Sequence, residues 1–238
     1  GTIGDQSSTN FTFNHDCKPL SPELSDSVQR AKTAMAKWTH TSIQERVNMV
    51  LKVGEVITET SLEALVKDKL SHPLYLPGPT GESNQLSLHG RGVMILIIRD
   101  EDPAMPITLQ IASALLCGCS LLICAGMHHH QMVIDILSHY KMLGLPKSML
   151  QTVALDDSAS LIQHPDIAGV IANSFGANSK ALRKEMAKRS GCIIPLIEWP
   201  KINTDYNYHW LLGFLSERTR TENLVARGGN TQLFNLSE

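Results

Sequence analysis

The stretch from Gly92 to Ile197 alternates short apolar runs with segments of helical spacing, and this alternation constrains the fold most strongly. Each run is short enough for a buried strand, and strands that alternate with helices form parallel β-α-β units. We therefore expect an α/β domain with a Rossmann-like parallel sheet flanked by helices. The five apolar runs are Val93 to Ile98, Leu121 to Cys124, Leu150 to Leu155, Ile167 to Ala172 and Ile193 to Ile197.

Helical patterns lie both before this stretch and within it. A capping serine with a proline after it starts the first helix at Ser21, and Ser42 with Glu45 forms a capping box for the next. The apolar face of that second helix continues to Ile57. Leu86 and Leu88 alternate with polar residues, as in an edge strand. Further helices are predicted over Leu62 to Leu70, Ile107 to Leu116, His128 to Leu143 and Ala177 to Arg189.

Composition and charge exclude several classes of protein. The 238 residues are 42% hydrophobic and 18% charged, which is sufficient for one substantial core. The net charge of -2, with 21 basic and 23 acidic residues, gives no footprint for nucleic acid. No apolar stretch reaches the roughly 20 residues of a membrane span, and no signal peptide is evident. These features predict a cytoplasmic protein.

The cysteines predict buried thiols rather than a disulfide framework. Their number is odd, and four of them lie in or beside apolar runs, where a thiol behaves as a small hydrophobe. A nucleophilic cysteine would need an electropositive, partly open setting, which these positions do not indicate. The five are Cys17, Cys117, Cys119, Cys124 and Cys192.

Three segments near strand ends are candidates for chemistry, although no Gly-x-Gly-x-x-Gly motif is present. The three carboxylates of Arg99-Asp-Glu-Asp-Pro103 would repel a pyrophosphate but suit a helix N-terminus. We interpret this run as an ordinary surface loop, with a metal or acid-base site as the alternative. The side chains of His128-His-His130 point about 100° apart on a helix, which favours a solvated helix start over a metal site. Asn173-Ser-Phe-Gly176 fits a plain β-α turn better than a ligand site.

Several further motifs occur together in this chain. They are Trp38 followed by the helix with Glu45-Arg46, Leu76-Pro-Gly-Pro-Thr-Gly-Glu82, the strand after Arg91-Gly92, Gln110 to Gly118, Ile194 to Ile197 and Gly228-Gly-Asn230. Together they resemble the aldehyde dehydrogenase superfamily. More closely, they resemble the aldehyde dehydrogenase part of proline utilization A, the bacterial fusion of proline dehydrogenase with glutamate-semialdehyde dehydrogenase. The resemblance covers about residues 21–200 and 216–236.

The chain departs from that family at its working positions. Glu101 stands where the family has the asparagine that stabilises the oxyanion, and an acid there would destabilise the developing charge. Cys124 to Met127 replaces the Lys-Pro-Ala-Glu that holds the adenosine ribose. Asn173 to Phe175 replaces a Thr-Gly-Ser turn, and Glu198 to Lys201 replaces the Glu-Thr-Gly-Gly that carries the general base. We therefore expect no catalytic, cofactor-binding or metal-binding residue in this chain.

The resemblance also implies a domain organisation. Only 38 residues follow Pro200, fewer than the roughly 50 of a small domain, so we expect the cysteine-bearing catalytic domain to be missing. Long, type B or C, members of the family carry such a degenerate domain at their C-terminus. The expected segments are a linker at 1–20, the degenerate Rossmann domain at 21–200, a β-flap and connection at 201–220, and a docking motif at 221–238.

By resemblance, this domain is structural and does no chemistry. It would pack on the dehydrogenase module of its own parent chain as a pseudo-dimer partner and help to seal a substrate-channelling tunnel. A local core around a hairpin is the alternative for its aromatic cluster. The expected interface and sealing residues are Trp199, Tyr206, Tyr208, Trp210, Phe214, Leu224, Arg227, Gly228, Gly229, Asn230, Leu233 and Phe234.

Cofactors and partners follow from the same resemblance. The parent enzyme would hold FAD and NAD, and this segment neither. The parent would be cytoplasmic, with the inner-membrane surface as a second location, and self-association of the isolated domain is left open. Two other functions also stay open. One is a diverged NAD-binding protein that uses Asn173 and Ser174, which predicts an open polar pocket at the strand ends, and the other is a free-standing interaction module.

Overall fold

The computed structural model describes residues 20–53, 59–70, 72–79, 81–173, 177–198 and 211–223. The helices within these ranges are α1 (Pro22–Trp38), α2 (Ile43–Val50), α3 (Glu59–Leu70), α4 (Met105–Cys117), α5 (Met127–Met142), α6 (Ser158–Ile162) and α7 (Ala177–Ala187). The strands are β1 (Leu74–Leu76), β2 (Glu82–Gly90), β3 (Val93–Ile98), β4 (Ser120–Ala125), β5 (Leu150–Val153), β6 (Ile167–Ala172), β7 (Leu196–Glu198) and β8 (Leu215–Asn223). None of the helices in these ranges is both long and apolar enough to cross a bilayer.

Five strands form a parallel sheet in the order β5-β4-β3-β6-β7. Strand β3 lies at its centre, with Ile95 opposite Leu122 on one side and Val170 on the other. Every residue of β3 is buried, as expected for a strand covered on both faces. The α/β fold with a Rossmann-like parallel sheet is therefore confirmed, and β3 and β6 begin and end where the sequence predicted.

Two apolar clusters cover the two faces of this sheet. Alternate residues of β3 belong to different clusters, Met94 to one and Ile95 to the other, because side chains alternate across a strand. The larger cluster includes buried residues of α2, α3, α4 and α5, and the smaller one those of α6 and α7. Helix α1 contributes to both. Its Trp38 is fully buried and donates a 2.8 Å hydrogen bond from Nε1 to the Leu115 carbonyl oxygen.

A second sheet is antiparallel and has the strand order β1-β2-β8. Its strand β8 pairs with β2 along the whole length of β2, so β2 is central and the edge-strand prediction for Leu86 and Leu88 is wrong. The prediction failed because strand β8, which pairs with β2, lies more than a hundred residues away along the chain. Strand β8 also runs across the expected boundary between residues 220 and 221.

Other differences concern the ends of elements. Helix α2 ends at Val50, whereas the pattern predicted an apolar face to Ile57. The predicted run from Leu150 divides into β5 and a 3-10 turn at Leu155–Asp157, and the short helix α6 that follows was not predicted. The last strand of the parallel sheet, β7, begins at Leu196 and not at Ile193 as predicted. Ile193 is 99% exposed and is not part of the sheet.

Candidate functional site

At several strand ends the sequence differs from the functional residues of the resembled family. These strand ends lie together at the carboxyl edge of the parallel sheet. Strands β3, β4, β6 and β7 end there, at Ile98, Ala125, Ala172 and Glu198. Open α/β sheets bind their ligands at this edge, beside the N-termini of the helices that follow. It is therefore the candidate site, and the side chains around it decide what it can hold.

Asp100 lies against the N-terminus of helix α5. Its Oδ1 accepts a 2.9 Å hydrogen bond from the backbone N–H of His128, and the His128 ring lies 3.9 Å from the same oxygen. The helix has Gly126 as its N-cap, which offers no side chain of its own. A Cβ added to Gly126 would come within 2.3 Å of that Asp100 oxygen, so the glycine permits the close approach. The positive end of α5 is thus stabilised by a carboxylate from the neighbouring strand.

Residues 99–102 form a compact turn at the end of β3. The Asp102 side chain accepts a 2.7 Å hydrogen bond from the backbone N–H of Arg99. Burial raises the pKa of the Asp102 carboxyl, while the hydrogen bond from Arg99 acts in the opposite direction. Asp100 and Glu101 are exposed, as a surface loop predicts, but Arg99 and Asp102 are buried, so that prediction is wrong for these two residues.

A buried amide pair joins helix α4 to the end of β6. The Gln110 Nε2 donates a 2.7 Å hydrogen bond to Asn173 Oδ1, and both side chains are almost completely buried. Among the described residues, Gln110 Oε1 and Asn173 Nδ2 have no hydrogen-bond partner. An open polar pocket around Asn173 was the expectation for a diverged nucleotide-binding protein. Within the described residues, the Asn173 side chain is 3% exposed and is bonded to Gln110.

Glu198, at the position where the resemblance implies a general base, is bound by helix α7. Ser179 Oγ donates to its Oε1 and Arg183 donates to its Oε2. A general base must be able to reach a substrate proton, and an ion-paired carboxylate is a weaker base. The contacts of Glu198 therefore fit a residue that fastens β7 to α7.

The three consecutive histidines do not share one environment. His128 and His130 are exposed, but His129 is 8% exposed, so the prediction of a solvated helix start is wrong for His129. Its ring points into the protein because successive helical residues point in different directions. Within the described ranges, no cluster of three or more His, Cys, Asp or Glu residues could hold a metal ion.

Three of the cysteines lie deep in the core as free thiols, which confirms the prediction of buried thiols for Cys117, Cys119 and Cys124. Burial raises the pKa of Cys119 to about 11 and that of Cys124 to about 12, and it also raises the pKa of Cys117. Cys192 is exposed, so the prediction is wrong for this residue, and Cys17 lies outside the described residues. A thiol with a raised pKa is a poor nucleophile at neutral pH.

Only one of the expected interface residues falls within the described part of the chain. Phe214 is fully buried in the larger apolar cluster, and its carbonyl oxygen accepts from Cys119 Sγ at 3.1 Å. For this residue the local-core alternative fits better. The others lie outside the described residues: Trp199, Tyr206, Tyr208, Trp210, Leu224, Arg227, Gly228, Gly229, Asn230, Leu233 and Phe234.

No protein-family model matches the sequence, and no curated protein matches it either. Solved structures do match. A structure of proline utilization A with proline bound in remote sites is 23% identical over 76% of this chain, with a TM-score of 0.65. A variant of the Bradyrhizobium japonicum protein is 24% identical over 76%, with a TM-score of 0.64. Succinate-semialdehyde dehydrogenase from Burkholderia pseudomallei is 15% identical over 72%, with a TM-score of 0.58.

The fold is aldehyde dehydrogenase-like. This likeness extends to only part of each relative, since the chain spans 22% of both proline utilization A chains and 42% of the Burkholderia pseudomallei enzyme. At these identities the comparison concerns the fold, so the chemistry of this aldehyde dehydrogenase-like domain has to be argued from its own residues.

Sequence reasoning found some residues of this aldehyde dehydrogenase-like domain and missed others. The acidic run after β3 was recognised as hostile to a pyrophosphate, but the contact of Asp100 with α5 was not predicted. A glycine immediately before a helix, opposite an acid that follows the neighbouring strand, is the signal that could have indicated it. Gln110 had no such signal, because nothing in its helix identifies Asn173 as its partner.

Proposed function

We propose that the chain is a non-catalytic structural domain of a larger, proline-catabolic enzyme that joins proline dehydrogenase to glutamate-semialdehyde dehydrogenase. In this proposal it is the C-terminal domain of the parent. It packs on the aldehyde dehydrogenase module of its own chain as a pseudo-dimer partner and helps to seal the tunnel through which the intermediate passes. FAD and NAD belong to the catalytic modules, and the parent is cytoplasmic.

The observation that carries the proposal is that a side chain of the protein itself, Asp100, occupies the α5 end of the carboxyl edge. A dinucleotide phosphate needs free backbone N–H groups at a helix N-terminus. At α5 the His128 N–H is already bonded to the Asp100 carboxylate. A pyrophosphate there would meet the like charge of the Asp100 carboxylate. The residues at this helix end therefore do not fit the cofactor.

The other working positions support the same proposal. Cys124 lies inside the sheet, where the resembled family has a lysine that reaches the adenosine ribose, and a buried thiol offers no charge to a ligand. Glu198 is engaged by Ser179 and Arg183. Neither arrangement leaves a group free to bind a cofactor or to move a proton.

The antiparallel sheet supports a docking role. Its edge strand β1 exposes three large side chains, Leu74 at 60%, Tyr75 at 68% and Leu76 at 36%, of which Leu74 and Leu76 share one face. Adjacent exposed apolar residues on the edge of a sheet form a surface that proteins usually cover. In the proposal this sheet, with β1 at its edge, is the part of the domain that meets the dehydrogenase module.

The number of NAD molecules that the parent enzyme binds per chain tests whether this domain binds the cofactor. Calorimetric titration of the full-length parent with NAD is expected to give one site per chain, belonging to the catalytic module. The 238-residue chain alone is expected to give no saturable heat. Two sites per parent chain, or micromolar binding to the chain alone, would favour the diverged NAD-binding protein and overturn the proposal.

The sealing role needs a separate experiment. Residues 224–238 are deleted from the full-length parent, because a deletion from Thr221 would remove the end of strand β8 and damage the sheet. We expect a longer lag before NADH appears in the coupled reaction from proline, while the rate with added semialdehyde changes less. An unchanged lag would sink the sealing role without affecting the cofactor result.

A further inference from the structure

A cleft of about 450 Å³ lies between the turn from α1 to α2 and the antiparallel sheet. It adjoins Gly90 and Cys117, beside the amino end of the parallel sheet, and so it is separate from the carboxyl edge. Its lining includes two arginines and three histidines: Arg46, Arg220, His40, His72 and His89. None of the described residues that line it is Asp or Glu.

Arg46 is the buried charge of this cleft. Its side chain is fixed by backbone carbonyl oxygens, with Nε donating to Thr41 and Nη2 to Thr39, each at 3.0 Å. The guanidinium lies 5.8 Å from the centre of the Trp38 ring. No acid in the described ranges forms an ion pair with Arg46, whose pKa is lowered by burial. A buried cation without a counter-charge is costly, and an anion beside it would reduce that cost.

His89 lies close to positively charged side chains in this cleft. Its Nε2 lies 2.9 Å from Ser87 Oγ, on the face of β2 that lines the cleft. Burial is the largest cause that lowers the pKa of His89, followed by repulsion from Arg218 and Arg46. The cleft is therefore electropositive even with the histidine neutral.

Strand register brings a second arginine to the same face of the sheet. Residues opposite each other on paired strands point to the same side, and Gln85 pairs with Arg220 as Ser87 pairs with Arg218. Arg220 forms an ion pair with Glu222, which leaves it at the rim of the cleft with 71% of its side chain exposed. Buried Arg46 and rim Arg220 thus stand at two positions around one cavity.

We propose that this cleft binds an oxyanion, the phosphate or carboxylate group of a small molecule. Guanidinium groups suit such groups because their N–H donors form a planar fork. The hydrogen bond between Ser87 and His89 leaves one further neutral donor for a ligand, which is the Ser87 hydroxyl or the Nδ1–H of His89 according to the histidine tautomer. The volume is within the roughly 300 to 1,000 Å³ typical of small-molecule sites. The cleft shares the antiparallel sheet with the proposed docking surface, but its binding of an oxyanion can be measured on the isolated chain and so is tested independently of that role.

The test uses the full 238-residue chain and the ring resonances of its histidines. Inorganic phosphate and acetate are titrated separately at constant ionic strength, with sodium chloride as the reference. We expect a saturable shift of the His89 resonance with at least one oxyanion, and a higher pKa for His89 when the anion is bound. The anion that binds more tightly identifies the ligand as a phosphate or a carboxylate. Shifts no larger than those caused by chloride would overturn the proposal.

Variants locate the binding. Arg46→Gln is expected to abolish the saturable shift if the protein stays folded by circular dichroism. Arg220→Gln, at the exposed rim, is expected to fold normally and to weaken binding about fivefold. Lys180→Gln removes one positive charge from α7, on the other face of the parallel sheet, and is expected to leave the affinity unchanged. Equal affinities of Arg220→Gln and Lys180→Gln would overturn the assignment to this cleft, whatever Arg46→Gln does.

Discussion

The carboxylate of Asp100 accepts a 2.9 Å hydrogen bond from the backbone N–H of His128. The two residues belong to different elements, one following strand β3 and the other in the first turn of helix α5. A helix is usually capped by a residue of its own sequence, but α5 has Gly126 at the N-cap and no side-chain cap. The contact therefore links the loop after β3 to the first turn of helix α5.

Removing this contact should destabilise the domain. Asp100→Ala is expected to lower the free energy of unfolding by about 1 kcal/mol, since both a capping acceptor and a favourable helix-dipole charge are lost. Asp100→Asn keeps an acceptor oxygen and should cost less. Urea unfolding measures both, with Asp26→Asn on the exposed face of α1 as the matched control. A loss for Asp100→Ala no larger than that of the control would contradict the capping role.

The parallel sheet could be predicted because its central strands are apolar throughout. Strand β3 is buried on both faces. Its continuous apolar run begins after Gly92 and ends before Arg99, so the sequence indicates both ends of the strand. Strand β8 could not be predicted in this way. It carries charged residues such as Arg218 and Glu222, and its order depends on pairing with β2. Such a strand is stabilised by a long-range partner and has little apolar signal of its own.

The candidate site was predictable in its chemistry but not in its geometry. The acidic residues after β3 and the missing glycine motif already argued against a bound phosphate. That Asp100 caps α5 and that Gln110 bonds Asn173 depends on which strands are neighbours in the sheet. These contacts join residues far apart in sequence, and composition or periodicity gives no information about them.

Stability should depend on the protonation of His164. Its Nδ1 accepts a 3.0 Å hydrogen bond from the backbone N–H of Asp166, which requires an unprotonated nitrogen. Burial is the main cause that lowers the pKa of His164; the charges of Arg189 and Lys32 add to it, and Asp166 opposes it. Because the folded pKa lies below the unfolded value of about 6.5, the unfolded state binds the proton first.

This contribution to stability is present above the unfolded pKa and is lost as the pH falls through the folded pKa. We expect the free energy of unfolding to decrease from about pH 7 towards pH 5. His89, whose pKa is also lowered, acts in the same direction. His164→Asn keeps an acceptor that does not titrate, so it should show a shallower decrease in urea titrations at several pH values. A slope identical to that of the wild type would refute the assignment to His164.

Thiol reactivity should follow burial. Iodoacetamide at about pH 8 is expected to label exposed Cys192 in the native protein and to spare Cys119 and Cys124, whose pKa values are raised to about 11 and about 12. In urea all of them should react, because burial is removed. Peptide mass spectrometry measures each site separately. Native labelling of Cys124 as fast as that of Cys192 would contradict the buried position.

Arg189 should be a strong stabilising residue although it lies at the surface. Its guanidinium donates to the carbonyl oxygens of Ile162, His164, Pro165 and Ile167, at 2.5 to 3.1 Å, and so joins the end of α7 to the segment between α6 and β6. Lysine keeps the charge but cannot reach four carbonyls with one ammonium group. Arg189→Lys is therefore expected to cost about 2 kcal/mol in urea unfolding.

The matched control for this substitution is Arg218→Lys, on the exposed strand β8, where no side-chain hydrogen bond of Arg218 is seen among the described residues. It should change the free energy of unfolding by less than about 0.5 kcal/mol. Native-state hydrogen exchange adds a local measurement: Arg189→Lys should speed exchange in α6 and α7 more than in α4. Equal costs for the two variants would mean that the carbonyl contacts of Arg189 contribute no more than the charge itself.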